Sequence, residues 1–209
     1  MMSSTNKKYH HGDLRNTLLE LAEEHLRKNG IDKLSLRALA RDIGVSQTAP
    51  YRHFIDKNGL LAALATRAYI ELYNRMIQAQ QNAGDAAEGK LKGIGRAYVH
   101  FALEHGEIFK VMFGSILDQH EQYPELRDAS RQAFILVHEV VKKIVAKNFA
   151  NDAITDDDLE YLTNAAWINV HGLATLKLER SELFDRDIID LERQISTNIN
   201  IFLQGIKTN

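Results

Sequence analysis

Cysteine is absent from this 209-residue chain, and its absence removes disulfide scaffolds, thiolate metal sites, iron–sulfur clusters and cysteine nucleophiles together. It also suits a reducing compartment, so a cytoplasmic location is the expectation. Proline is scarce, with only Pro50 and Pro124, which leaves long stretches of backbone free to close helical hydrogen bonds. No run of about 18 apolar residues occurs, so a membrane span is not expected. The basic start through Lys7 and Lys8 leads into no apolar stretch of leader length. Alternating Val/Ile/Thr segments are missing too, which argues against a β-rich fold.

What is present is the composition of an ordinary globular protein, 44% hydrophobic and 26% charged. The net charge of −2 is a near-cancellation. Residues 1–60 carry ten Lys+Arg against seven Asp+Glu, leaving sixteen against twenty-one for residues 61–209. A basic head on an acidic body points to an anionic partner for the head.

Helical periodicity runs through the whole chain. Leu14, Leu18, Leu21, Ala22 and Leu26 fall on one face of a helix over about 13–28, which Asn29-Gly30 ends. Ser35 caps a two-turn helix with Leu36, Leu39, Ala40 and Ile43 on one side and Gly44 as its stop. Ser46 or Gln47 opens a further short segment through Phe54, made irregular by Pro50. Asp56 caps a helix to about Gln80, and 81–85 reads as a connection. Further helices are expected at about 86–105, 107–114, 123–149, 156–180 and 187–206. The fold class is therefore all-α with about nine helices: a three-helix head over 1–60, a connecting helix over 56–80, and a helical bundle over 84–209.

Two short helices joined by Gly44-Val45-Ser46, with a supporting helix on each side, make a helix-turn-helix unit. The second short helix offers Gln47, Thr48, Tyr51, Arg52 and His53, donors suited to base edges and phosphates, and no carboxylate. From spacing alone, a plain helical hairpin with a solvated polar face remains open.

The run Leu34-Ser35-Leu36-Arg37-Ala38-Leu39-Ala40-Arg41-Asp42-Ile43-Gly44-Val45-Ser46, followed by Pro50-Tyr51-Arg52-His53-Phe54 and Lys57, resembles the DNA-binding domain of TetR/AcrR-family bacterial regulators. Tyr9-His10-His11-Gly12-Asp13-Leu14-Arg15 and Trp167-Ile168-Asn169-Val170-His171-Gly172-Leu173 resemble the subgroup with a WHG-type C-terminal domain. One departure is Asn58-Gly59 after the loop lysine, where many members place the Glu that closes a capping box. The resemblance implies that Ser35 and Arg37 approach the backbone or groove edge, that Gln47, Thr48 and Arg52 read bases, and that Ser46 is a further DNA-binding candidate. Tyr51, His53 and Lys57 would then rest on phosphates, with Lys7 and Lys8 as a basic arm.

The resemblance further implies a homodimer through the last two helices, with Leu173, Leu176, Ile188, Leu191, Ile195, Ile199, Phe202 and Leu203 as apolar candidates. Intramolecular core competes for each of them. It also implies a double-stranded DNA operator of palindromic form, and a small-molecule effector that releases the protein from it. Tyr98, Phe101, Phe109, Met112, Phe113, Phe134, Trp167 and His171 are the candidates for the effector pocket. Trp167 and His171, four apart, share a helical face.

Catalytic and cofactor signatures fail. Gly84-Asp85-Ala86-Ala87-Glu88-Gly89-Lys90 mimics a phosphate loop, but Leu91 replaces the magnesium-binding hydroxyl and no strand precedes it. His138-Glu139 lacks a second histidine at 142, which is Lys142. His100, Glu104 and His105 do not share one face, so no metal is expected. The expectation is a ligand-responsive transcriptional regulator, a repressor by resemblance, without cofactor or enzyme activity. The competing reading is a helical small-molecule-binding protein or enzyme whose helix-turn-helix is only structural.

Overall fold

The computed structural model describes residues 13–114, 120–148, 154–180 and 190–208. The basic arm Lys7-Lys8, the Tyr9–Gly12 segment and Ile188 lie outside the described residues. The helices are α1 (Leu14–Asn29), α2 (Leu36–Ile43), α3 (Lys57–Asn82), α4 (Ala87–Glu104), α5 (Gly106–Met112), α6 (Pro124–Asn148), α7 (Asp156–Glu179) and α8 (Leu191–Thr208), with short 3-10 turns at Ala49–Arg52 and His120–Gln122. Among the described residues no strand occurs, and no helix is long and apolar enough to cross a membrane.

Local chemistry sets most boundaries. Asp13, Ser35 and Asp56 each accept a backbone N–H of the following turn, and Thr155 and Asp158 form a reciprocal capping box at α7. At α3 the Asp56 carboxylate accepts from Gly59 N at 2.8 Å, while Gly59 has no side chain to return the bond. Gly44 ends α2 in the left-handed region at φ 82°, where a Cβ would be strained. The expected cap at Ser46 is a correction. Its hydroxyl lies 3.2 Å from the Thr48 hydroxyl, and the turn starts after Thr48 without a side-chain cap. Pro50 then sits second in a four-residue 3-10 turn, where its missing N–H costs nothing.

The head core gathers Leu18, Leu19, Leu26, Leu39, Phe54 and Leu61, all buried. α3, about 39 Å long at 1.5 Å per residue, leaves that core at Leu60 and Leu61 and reaches the body at Leu72 and Met76. α4 is the centre of the body, packed by α3, α6, α7 and α8. Gly95 makes room for side chains of α7 and α8. A Cβ there would lie 2.7 Å from Ile199 Cδ1 and 3.1 Å from Val170 Cγ1. α5 packs back on α1, a second contact between body and head.

Candidate nucleic-acid interface and core cavity

The α2–turn segment exposes a continuous polar surface because Pro50 and Phe54 face inward and hold it to the head core. Gln47, Thr48, Tyr51, Arg52 and His53 between and before them are exposed. Ser35 and Arg37 are exposed at the start of α2, and Ser46 at the turn. The Ser35 oxygen accepts from Ala38 N at 3.1 Å, which leaves its O–H free to donate outward. The sequence brings these residues to one side with no acid between Gly44 and Phe54. Asp42, the nearest carboxylate before them, is engaged by His25 Nε2 at 2.9 Å.

Lys57 sits differently from the others. It is half-buried, and its Nζ donates to the Ile31 carbonyl at 2.6 Å, bridging the start of α3 to the loop after α1. Two ammonium protons remain for an anion, but the residue also holds the head together. Arg15 is a further exposed cation, with its guanidinium 5.5 Å from the centroid of the Phe54 ring. Its proximity to the turn is not readable from residue spacing.

The body holds a small, partly open apolar cavity with room for one water molecule, about 20 Å³. Its walls come from five helices, among them Met76 on α3, Leu91 and Gly95 on α4, Val137 on α6, Asn169 on α7, and Ile199 and Phe202 on α8. Of the eight aromatic and soft residues expected to line a pocket, Tyr98 and Trp167 border this cavity. Phe109, Phe113, Phe134 and His171 surround those two as an aromatic cluster: Tyr98–Trp167 centroids lie 5.6 Å apart, Tyr98–Phe109 5.7 Å, Phe134–Trp167 6.0 Å and Phe113–His171 4.5 Å. Phe101 and Met112 are buried but do not border the cavity. Phe101 stacks on His105 at 4.8 Å, and the Met112 carbonyl accepts from Tyr69 Oη at 3.1 Å. Burial holds His171 below the usual histidine value and raises the Tyr98 phenol, so both are neutral near pH 7. Most cavity walls were missed because they are ordinary aliphatics. The available signal was glycine inside a helix at 95, a mark of close backbone approach.

Four of the apolar residues expected at a dimer contact prove to be core. Leu173, Ile195, Ile199 and Leu203 are at most 5% exposed and belong to this chain's own core. Leu191 and Phe202 pack against that core partly buried, and Leu176 is half exposed. The outward apolar residues of α7 and α8 are Tyr161, Ile168 and Ile201, at 74%, 68% and 61% exposure. Gly172 and Gly205 have open space where a Cβ would stand, so packing within the chain requires neither of them. His100 binds Glu192 at 2.6 Å and Glu104 binds Arg75 at 2.5 Å, and no metal-holding cluster exists among the described residues.

Residues 18–64 match the model for bacterial regulatory proteins of the tetR family, and residues 91–194 match the tetracyclin repressor-like C-terminal domain. YobS of Bacillus subtilis, an uncharacterised HTH-type transcriptional regulator, is 25% identical over 193 residues, 92% of each chain. The class D tetracycline repressor protein of Escherichia coli is 25% identical over 199 residues, covering 92% of this chain and 88% of its own. A solved structure of a Rhodococcus sp. RHA1 protein of unknown function superposes with a TM-score of 0.78 at 32% identity, covering 95% of this chain and 98% of that one. The helix-turn-helix head, the helical body and these matches agree: the chain belongs to the TetR/AcrR family, and it is a ligand-responsive DNA-binding transcriptional regulator rather than an enzyme.

Proposed function

We propose that the protein is a repressor that binds a palindromic operator as a homodimer and leaves it when a small molecule enters the body. The observation that carries this reading is the exposed surface from Gly44 to Phe54, which holds no acid; on it Gln47, Thr48 and Arg52 read bases in a major groove. Ser35, Arg37, Ser46, Tyr51, His53 and the remaining protons of Lys57 contact phosphates or the groove edge. One such head spans few base pairs, so two are needed, about 34–36 Å apart or a multiple of that. Tyr161, Ile168, Leu176 and Ile201 form the twofold contact, and Gly172 and Gly205 let the facing helices approach closely.

Release follows from α3. Its first turns are head core and its Met76 borders the cavity, so a ligand that pushes on Met76 moves the head that α3 carries. The test is selection of bound sequences from random duplex DNA. An inverted repeat with half-sites on one face of the duplex supports the reading; indifference to sequence contradicts it.

A further inference from the structure

The body cavity has two properties that define what it takes. No Asp, Glu, Lys, Arg or His is among its walls, so a charged group inside would have no partner. One polar atom, the side-chain oxygen of Asn169, is buried without a hydrogen-bond partner, and Asn169 is a wall of this cavity. A buried amide oxygen lacking a donor is a destabilised group that a ligand O–H or N–H would relieve. We propose that the cavity binds a neutral, largely apolar molecule bearing one hydrogen-bond donor, which bonds to the Asn169 carbonyl oxygen.

This rests on the reading of the cavity as the effector site and names the effector's chemistry. His171 adds no charge nearby. It reaches the wall only through Tyr98, whose Oη lies 2.8 Å from its Nδ1, and burial keeps the imidazole neutral near pH 7. With room for about one water, the cavity must widen to admit a ligand. Gly95 and Ile199 mark where it opens, because the Ile199 side chain of α8 fills the space over Gly95 that a Cβ would otherwise take. A molecule wedged beside Ile199 therefore separates α8 from α4 and presses on Met76 of α3.

Three probes of matched size separate the chemistry: 1-octanol, its isomer methyl heptyl ether, which has no donor, and octanoate. Trp167 is the single tryptophan and borders the cavity, so its emission reports occupancy alongside the melting temperature of the full chain. The expected result is a saturable shift with 1-octanol, binding about tenfold weaker for the ether, as loss of one hydrogen bond predicts, and weaker still for octanoate. Asn169→Leu should bring alcohol and ether within about twofold of each other; Asn169→Ala replaces it if the leucine variant does not fold. Equal binding of the isomers by the parent, tightest binding by octanoate, or no shift with any probe overturns the proposal. Operator binding by the same preparation is followed separately. If operator binding fails while the alcohol preference holds, the regulatory reading falls and the ligand chemistry stands.

Discussion

Tyr98 Oη and His171 Nδ1 lie 2.8 Å apart, a single bond that ties the middle of α4 to the middle of α7 inside the aromatic cluster. Tyr98 is buried and His171 half-buried, so the bond is stronger than a surface pair and costly to leave half-made. Tyr98→Phe keeps the ring contacts to Trp167 and Phe109 but strands the imidazole nitrogen. Stability should fall by about 1–2 kcal/mol, measured by urea denaturation.

The same burial gives the fold a pH dependence. Burial lowers the His171 pKa in the folded state below its ordinary value of 6.5. The unfolded chain therefore takes up a proton first as pH falls. The stability carried by neutral His171 is complete above pH 6.5 and is lost progressively below it. Melting temperature should decline between pH 7.5 and 5.5, and His171→Gln should flatten that decline. An unchanged slope in the variant would remove His171 as its source.

At the head, Ser35 and Gly44 define both ends of α2. Ser35→Ala removes the bond from Ala38 N and should cost about 1 kcal/mol. Gly44→Ala forces a Cβ into a backbone at φ 82° and should cost about 1–2 kcal/mol. Both are read by thermal unfolding. Gly44→Ala should also weaken DNA binding, because the turn sets the direction of Tyr51 and Arg52.

The proposed twofold contact is tested by charge. Ile168→Asp or Ile201→Asp places a carboxylate on an exposed residue, so each variant should keep its helical circular dichroism while sedimenting as a monomer. Ile199→Asp is the contrast. That side chain is 4% exposed and lies against Gly95, so the variant should unfold. If the Ile168 and Ile201 variants remained dimeric, the interface would lie elsewhere.

Helix periodicity made the all-α architecture legible, and cap residues located its boundaries to within a few positions. Asp13, Ser35, Asp56 and Thr155 act at their own helix ends, a local event that sequence encodes directly. Ser46 failed as a cap because the next residues form a 3-10 turn around Pro50, where its hydroxyl meets Thr48. The exposed head surface was legible for the same local reason. The residues for a dimer contact were not: Leu173, Ile199 and Leu203 have the apolar character an interface would need, yet they are buried in the chain's own body. Periodicity finds the apolar face of a helix without saying which partner covers it. Lys57 reads as a free cation in one dimension and becomes a bridge to Ile31 only when α3 meets the loop after α1.

Salt dependence separates side chains on phosphates from side chains on bases. Lys57→Met should lower the slope of log affinity against log salt by about 0.9 if it neutralises one phosphate, whereas Arg52→Ala should weaken binding and relax specificity with the slope nearly unchanged. Lys57→Met should in addition lower the melting temperature, because it removes the bond to the Ile31 carbonyl. A stability loss without a change of slope would assign Lys57 to structure alone.

The most direct measurement is affinity for the selected operator, comparing the parent with the double variant Gln47→Ala, Arg52→Ala. Both side chains are exposed and make no hydrogen bond within the described residues, so melting temperature and dimerisation should be unchanged. Operator affinity should fall by about 2 kcal/mol or more, with the preference over random DNA largely abolished. A double variant that binds the operator as tightly and as selectively as the parent would contradict the assignment of the Gly44–Phe54 surface to DNA reading.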